Sequence, residues 1–416
     1  MILVSVKTRD FQKYITLGAT PGCGAPARAR PLYVWPQTMA TTPAVRTLFT
    51  RFPMLSLRLP LRALADLPTP VERFAGLEDA LGAAPLYVKR DDLSGATFGG
   101  NKVRKLEFLL GAALAAGART AITVGAAGSN HALATAICCR QLGLRPALML
   151  YPQPNAHVVR QNLLADLWTR ADVHAFQDYA EHRANLRGLV AHYREQDHAE
   201  PCVIPTGGSN PVGAAGYVNA GLELAAQIAD GALERPTRIY VALGSMGTVA
   251  GLWLGLAVAG VRTTVVGVRV TPPAIASEER LAELITQTAS MLHGLDPSFP
   301  LPDPSVDPPL VDHRFFGGEY ARFTPESVAA VHLAHDSAGM ALDGTYTGKA
   351  LAGLIADVKA GKATEPLMFW NTRNSRPLPE EALRGDYHRL PSALWRYFEE
   401  DVQPLDREER TDHGAH

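Results

Sequence analysis

Lys102 stands in the stretch FGGNKVRKLEF (98–108), behind two glycines and an asparagine, at the mouth of a segment with helical apolar spacing. Arg104 and Lys105 follow within one turn. The N-terminus of a helix already carries partial positive charge, so cations are disfavoured there and anions are welcome. Such a cluster is either a solvated or ion-paired face, or a place for something negatively charged. A lysine amine can also condense with an aldehyde and, once freed, take a proton from a carbon acid.

Three more glycine-rich turns have chemistry in reach. In GAAGSNHA (125–132), Gly125 and Gly128 allow a tight turn, and Ser129, Asn130 and His131 open a helix whose free N–H groups can take an anion or a carboxylate. TGGSNPVGAAG (206–216) is the second. The third, ALGSMGTVAG (242–251), follows the strand-like RIYVAL: the backbone around Gly244 and Gly247, with the hydroxyls of Ser245 and Thr248, makes a phosphate cradle. Each turn taken alone also reads as plain chain reversal. No G-x-G-x-x-G follows a predicted strand and no G-x-x-x-x-G-K-[ST] is present, which speaks against dinucleotide and nucleotide-triphosphate chemistry. One phosphate at GSMGT together with a Schiff-base lysine points instead to pyridoxal phosphate.

These residues need a scaffold that brings distant turns together. From about Phe52 short apolar or β-branched runs alternate with longer helical segments, the pattern of an α/β protein with parallel sheets. Strands are expected at 86–89, 120–124, 147–151, 238–243, 263–268 and 367–370, and helices at 103–116, 131–142, 178–196, 212–229, 247–260 and 325–338. Ligands of such sheets collect beyond the carboxyl ends of the strands, where the glycine-rich turns fall.

Composition narrows the class. With 47% hydrophobic and 19% charged residues the 416-residue chain can fill a sizeable core, and 40 Lys plus Arg against 41 Asp plus Glu leaves no net field for nucleic acid or a membrane surface. No apolar run reaches the roughly 18 residues of a membrane span. Cys23, Cys138, Cys139 and Cys202 have neither zinc nor disulfide spacing, which suits a reducing, cytoplasmic setting, with Cys138 and Cys139 as small apolar groups in a helix. Residues 1–51 read as a disordered extension: Asp10 is the one acid before Leu64, which fits either an organelle-type leader or a start set too early, with Met39 or Met54 the true beginning. The Pro-rich 297–309 reads as an insertion and 401–416 as a disordered tail.

In order along the chain, KRDDLSGATFGGNKVRKLEFLLGAAL, GAAGSNHALA, GGSNPVGAAGYV, GSMGTVAGL and LDGTYTGKALAGLI resemble the D-cysteine desulfhydrase and 1-aminocyclopropane-1-carboxylate (ACC) deaminase family over residues 52–375. The resemblance implies a fold type II pyridoxal-phosphate enzyme: two open, twisted, mostly parallel sheets flanked by helices, with a large domain of residues 52–116 plus 226–400, a small domain of 117–225, and a homodimeric assembly. It further implies that Lys102 carries the cofactor and that Ser129, Asn130 and His131 face the substrate carboxylate, Asn130 touching cofactor as well. The GSMGT loop, with Gly244, Ser245, Gly247 and Thr248, then holds the phosphate, Lys105 lies near it, and Tyr320 and Tyr346 are the active-site tyrosines. Second-layer bonding for His131, packing for the tyrosines and a structural ion pair for Arg104 and Lys105 remain alternatives.

The implied reaction is α,β-elimination. The freed Lys102 takes the Cα proton, and a tyrosine, with Ser129 nearby, assists loss of the group on Cβ. Thr372, after the strand LMFW, falls where a neutral hydroxyl would meet the pyridine nitrogen. In ACC deaminases glutamate follows the YTGK tyrosine and SNH reads SNQ; Thr347 and His131 stand here, favouring the desulfhydrase branch. ACC deamination, elimination from D-serine or a diamino acid, and a silent cofactor-binding protein are the other readings. The family's HTGG is replaced by NTRN (371–374), so Arg373 and Asn374, like the Pro-rich insertion, are expected to reshape the pocket.

Overall fold

The computed structural model describes residues 46–411 apart from residue 84 and residues 363–364. Among the described residues ten strands form two sheets. The larger contains β1 (Val71–Arg73), β2 (Leu86–Lys89), β7 (Arg238–Leu243), β8 (Thr264–Arg269), β9 (Leu310–Asp312) and β10 (Leu367–Trp370), in the order β1-β2-β10-β7-β8-β9. The smaller contains β3 (Thr120–Ala126), β4 (Arg145–Tyr151), β5 (Asp172–Ala175) and β6 (Cys202–Ile204), in the order β5-β4-β3-β6. Only β1 runs antiparallel to its neighbour. The chain passes from the first sheet to the second through the helix Asn101–Ala115 and returns through the helix Pro211–Ala229.

Strands β2, β3 and β10 are buried along their whole length, and β7 from Ile239 onward, as expected of parallel strands covered on both faces. All six expected strands and all six expected helices are present, with ends shifted by one or two residues. The helix Pro211–Ala229 runs through the expected boundary at 225/226 and packs on the helix Gly247–Ala259.

Behind the site lies a buried ionic network. The guanidinium of Arg104 donates to Asp91 (2.7 and 3.0 Å), to both oxygens of Glu223 (2.9 Å each) and to Thr69 Oγ1 (2.9 Å). Lys89 Nζ donates to Glu223 Oε1 at 2.6 Å, and Tyr217 donates to Asp91 Oδ2 at 2.5 Å. Two cations and two anions therefore neutralise one another with every partner bonded, the condition under which buried charge is tolerated. Arg104 is thus a structural ion pair.

Three expectations are corrected. Residues 1–45 lie outside the described residues, but 46–51 do not belong to a loose extension: Thr47–Arg51 is a helix, Leu48 is fully buried, and the buried Arg46 pairs with Glu107. The tail is ordered through 411, because Gln403 bonds the backbone of Ala321 and Phe323, and Asp406, in the first turn of the helix Pro404–Thr411, accepts from His157 N–H at 2.5 Å. The Pro-rich segment packs on the N-terminal helices, with Phe299 against Phe52 at 4.9 Å, and on the helix Gly247–Ala259, whose Trp253 Nε1 donates to Asp307 O, and it contributes nothing to the cavity below.

Glu107 also accepts from the N–H groups of Leu64 and Ala65 (2.9 Å each), so it depends on Arg46 for its countercharge. Removing residues 1–53 should lower unfolding free energy by about 3–5 kcal/mol, the cost of breaking a buried pair. Removing 1–38 should leave Arg46, Leu48 and Phe52 in place and so spare this stability. Urea denaturation of both deletions decides it; equal midpoints would refute the role of Arg46.

Candidate active site

A cavity of about 560 Å³ opens where the loops after β3, β6, β7, β8 and β10 converge. Lys102 enters it from the first turn of the helix Asn101–Ala115. That turn is possible because Gly100 takes φ +89° and passes so close to β10's exit that a Cβ would sit 2.8 Å from Thr372 O. Asn101 N–H donates to Thr372 O (3.2 Å), and its side chain donates to Thr248 Oγ1 (2.9 Å) while accepting from Lys102 Nζ (2.7 Å). Burial pushes the Lys102 amine down to about 8, against the attraction of Asp343.

The GSMGT turn starts the helix Gly247–Ala259 with no side-chain cap and no acid in its first turn. Gly244, Ser245, Met246 and Thr248 line the cavity. Gly247 sits one layer behind: its N–H donates to Ser209 Oγ (3.0 Å), and a Cβ there would collide with that oxygen at 2.6 Å. Lys105 also stands behind this wall. Its buried Nζ donates to Gly207 O (3.1 Å) and Ser209 Oγ (3.2 Å), both neutral, and burial together with the charge of Lys102 holds it well below the usual lysine range. An anion at the turn is the charge this lysine lacks.

Ser129 caps the helix Asn130–Gln141, accepting from Ala132 N–H at 3.2 Å, and lines the cavity with Asn130 and His131. Asn130 Oδ1 accepts from Asn162, which leaves its amide as a donor. His131 is buried, with Nε2 3.0 Å from Thr123 Oγ1; burial and the two lysines hold it neutral. Its bond to Thr123 fits the second-layer alternative.

Tyr320 and Tyr346 face one another and share a hydrogen bond between their hydroxyls; burial raises both above the usual phenol range, so both are neutral. Lys102 Nζ lies 5.9 Å from the Tyr346 ring centre. Asp343 accepts from Thr345 N–H (3.0 Å), Tyr346 N–H (2.6 Å) and Thr347 Oγ1 (2.7 Å), fixing the turn that presents Tyr346. Lys349, one helical turn on, donates to Phe316 O at 2.7 Å and so ties down the segment leading to Tyr320.

Thr372 and Arg373 line the cavity. Asn374 does not reshape it, contrary to expectation: its Oδ1 accepts from Gly99 N–H (2.6 Å) and Arg376 N–H (3.0 Å), stapling the FGGNK turn to the end of β10.

Ser209, Asp343 and Tyr151 are cavity residues that motif reasoning left unnamed. Ser209 lies in the turn TGGSNPVGAAG and Asp343 inside LDGTYTGK; Tyr151 ends β4, and the carboxyl end of a parallel strand was its signal.

Residues 63–369 match the family model described as pyridoxal-phosphate dependent enzyme, and the chain belongs to that family. A Yersinia pestis protein named D-cysteine desulfhydrase is 36% identical over 330 residues, covering 78% of this chain and 94% of the relative. A Pyrococcus abyssi protein with the provisional name 1-aminocyclopropane-1-carboxylate deaminase is 35% identical over 331 residues, covering 79% and 94%. A solved ACC deaminase homologue superposes with TM-score 0.67 at 32% identity, over 80% of this chain and 96% of that one. Threonine deaminase isoform 2 of Solanum lycopersicum, at 18% identity and TM-score 0.54, shares the fold.

The fold is type II, and the protein is a pyridoxal-phosphate-dependent lyase. The cofactor fits the side chains present: an amine at Lys102 for its aldehyde, and for its phosphate an uncapped helix end ringed by Ser209, Ser245 and Thr248 over the unneutralised Lys105. No helix of the described residues is long and apolar enough to cross a membrane.

Lys105→Ala should weaken cofactor affinity about tenfold to a hundredfold, the contribution of a hydrogen bond to a charged group. Equilibrium dialysis of pyridoxal phosphate against the variant measures this; an unchanged constant would assign Lys105 to bracing alone.

Proposed function

We propose that the enzyme catalyses α,β-elimination of a small amino acid, D-cysteine foremost: D-cysteine and water give pyruvate, hydrosulfide, ammonium and a proton. The observation that carries this reading is the placement of the Lys102 amine, brought down to about 8, in one cavity with a hydrogen-bonded pair of neutral tyrosines, its Nζ 5.9 Å from the Tyr346 ring centre. A base for Cα and a proton donor for the departing group are thereby held close together.

Bound pyridoxal phosphate supplies an electron-withdrawing ring that acidifies the Cα–H of the attached amino acid. The chain's own residues do the rest. Ser129 and Asn130, at the start of a helix, take the substrate carboxylate, with His131 holding that turn from behind. Lys102, neutral at pH above about 8, accepts the Cα proton. One hydroxyl of the Tyr320–Tyr346 pair donates to the other, and the remaining proton is free for the leaving group. Thr372 offers a neutral hydroxyl to the ring nitrogen, and the Gly244–Thr248 turn with Lys105 takes the phosphate.

Thr347 supports the desulfhydrase branch over ACC deamination. It is buried, with its hydroxyl donating to Asp343, where the deaminases resembled here carry a glutamate. The relatives named desulfhydrase and deaminase are matched about equally, so the choice rests on these residues. We also read residues 52–116 plus 226–400 as the large domain and 117–225 as the small one, β3 to β6 lying in the latter. A cytoplasmic homodimer is the assembly proposed; the free thiols of Cys138, Cys139 and Cys202 suit a reducing setting.

Lys102→Ala should lose both the visible absorbance of attached cofactor and keto-acid release from a panel of D- and L-amino acids. Tyr346→Phe should keep the absorbance and lose about a hundredfold or more in kcat, the usual range for removing a general acid. Retention of keto-acid release by Lys102→Ala would refute the mechanism, and a panel in which ACC alone reacts would refute the branch. Reattachment of pyridoxal phosphate to stripped protein requires the neutral amine, so its rate should climb with pH through about 8. A stopped-flow profile still rising only above pH 10 would contradict the lowered Lys102 value.

A further inference from the structure

Arg373 is a cation in the cavity wall that the reaction just described does not use. Its backbone is held on both sides: its N–H donates to Asn371 Oδ1 at 3.2 Å, and the next residue, Asn374, is stapled to Gly99 and Arg376. Its carbonyl group lies 3.2–3.3 Å from the position of a Gly100 Cβ, two residues before Lys102. The side chain therefore rises from a fixed base beside the catalytic lysine. It is half-buried, and among the described residues it has neither a carboxylate partner nor an acceptor for its guanidinium.

Among the other charged groups lining the cavity, Glu283 accepts from Gln287 at 2.8 Å, the Arg280 guanidinium donates to Ala274 O, and Asp343 accepts from its own turn. The phosphate and the substrate carboxylate have their own donors in the Gly244–Thr248 turn and the Ser129–Asn130 helix start. A planar guanidinium in a partly desolvated wall is built for bidentate contact with an oxyanion. The thiol of cysteine offers none.

Resting on the lyase reading, we propose that Arg373 is a specificity residue that binds an anionic oxygen group on the substrate's β-substituent. Besides D-cysteine, amino acids whose Cβ heteroatom bears a short acidic chain are then substrates, preferred over their uncharged analogues. In the reaction the Cβ–heteroatom bond breaks and its electron pair leaves with the heteroatom. Cα gives up one proton, and one water turns the three-carbon remainder into pyruvate and ammonium. No oxidant or reductant is required.

S-carboxymethylcysteine and S-carbamoylmethylcysteine, nearly equal in shape and different in charge, test this in both enantiomers. The wild-type holoenzyme should prefer the acid about tenfold or more in kcat/KM. Arg373→Lys should keep part of that preference, Arg373→Ala should bring the ratio near one, and Arg373→Glu should invert it. Bound-cofactor absorbance of each variant checks that the site is intact. A wild-type ratio near one, or the same ratio in Arg373→Ala, overturns the proposal. Absence of pyruvate from every amino acid would overturn the lyase reading instead; the acid-to-amide ratio is then taken from dissociation constants measured by cofactor absorbance, with the same outcomes deciding for or against Arg373.

Discussion

Everything at the site is referred to a buried exchange of charge between Arg104, Asp91, Glu223 and Lys89. Arg104 lies two residues beyond Lys102 and one before Lys105, on the turn that must hold both amines still. Its partners come from Thr69 just before β1, Asp91 just after β2 and Glu223 in the middle of the helix Pro211–Ala229, so three separate segments are clamped to one guanidinium. Charge inside protein is costly unless every ion is paired and bonded. That condition leaves this turn almost no freedom to shift while the network stays whole. The excess of positive charge at a helix start is thus divided three ways: Arg104 is neutralised from within, Lys102 is lowered into reactivity by burial, and Lys105 waits on an anion.

The two sheets meet through loops. Ser209 belongs to the turn after β6, Ser245 to the turn after β7, and Lys105 to the helix between β2 and β3. Their side chains converge through Ser209 Oγ, at 2.8 Å from Ser245 Oγ and 3.2 Å from Lys105 Nζ. The tyrosine pair has a comparable origin, since Tyr320 sits on a loop and Tyr346 at a helix start, with Asp343 and Lys349 fixing the approach of each. Chemistry that depends on fixed distances is carried here by short loops whose ends are anchored in regular structure.

Much of this was legible in the residues. Parallel strands buried on both faces show as continuous apolar runs, and RIYVAL, TAITV and LMFW stand out for that reason. The helix beginning at Asn101 is marked by GGN. What escaped notice is what sequence distance hides. Ser209 contacts partners 36 and 104 positions away, so its role is invisible in any local window. DVQPLDREER looked disordered because it is polar, yet Gln403 and Asp406 satisfy backbone groups near residues 157, 321 and 323. Asn374 looked like a pocket residue because it stands where the family's HTGG has its last glycine; its amide proved to hold the FGGNK turn. Arg46 gave no signal at all, since an arginine in an acid-poor leader looks like leader.

The convergence at Ser209 bears on how the protein acquires its cofactor. An anionic tail lodged over Lys105 would touch turns belonging to both sheets at once and act as a rivet between them. Stripped protein should then breathe along that seam, exchanging amide hydrogens around residues 206–209 and 244–248 sooner than the loaded form does. Occupancy of a small-molecule site would thereby become a property of the architecture as a whole.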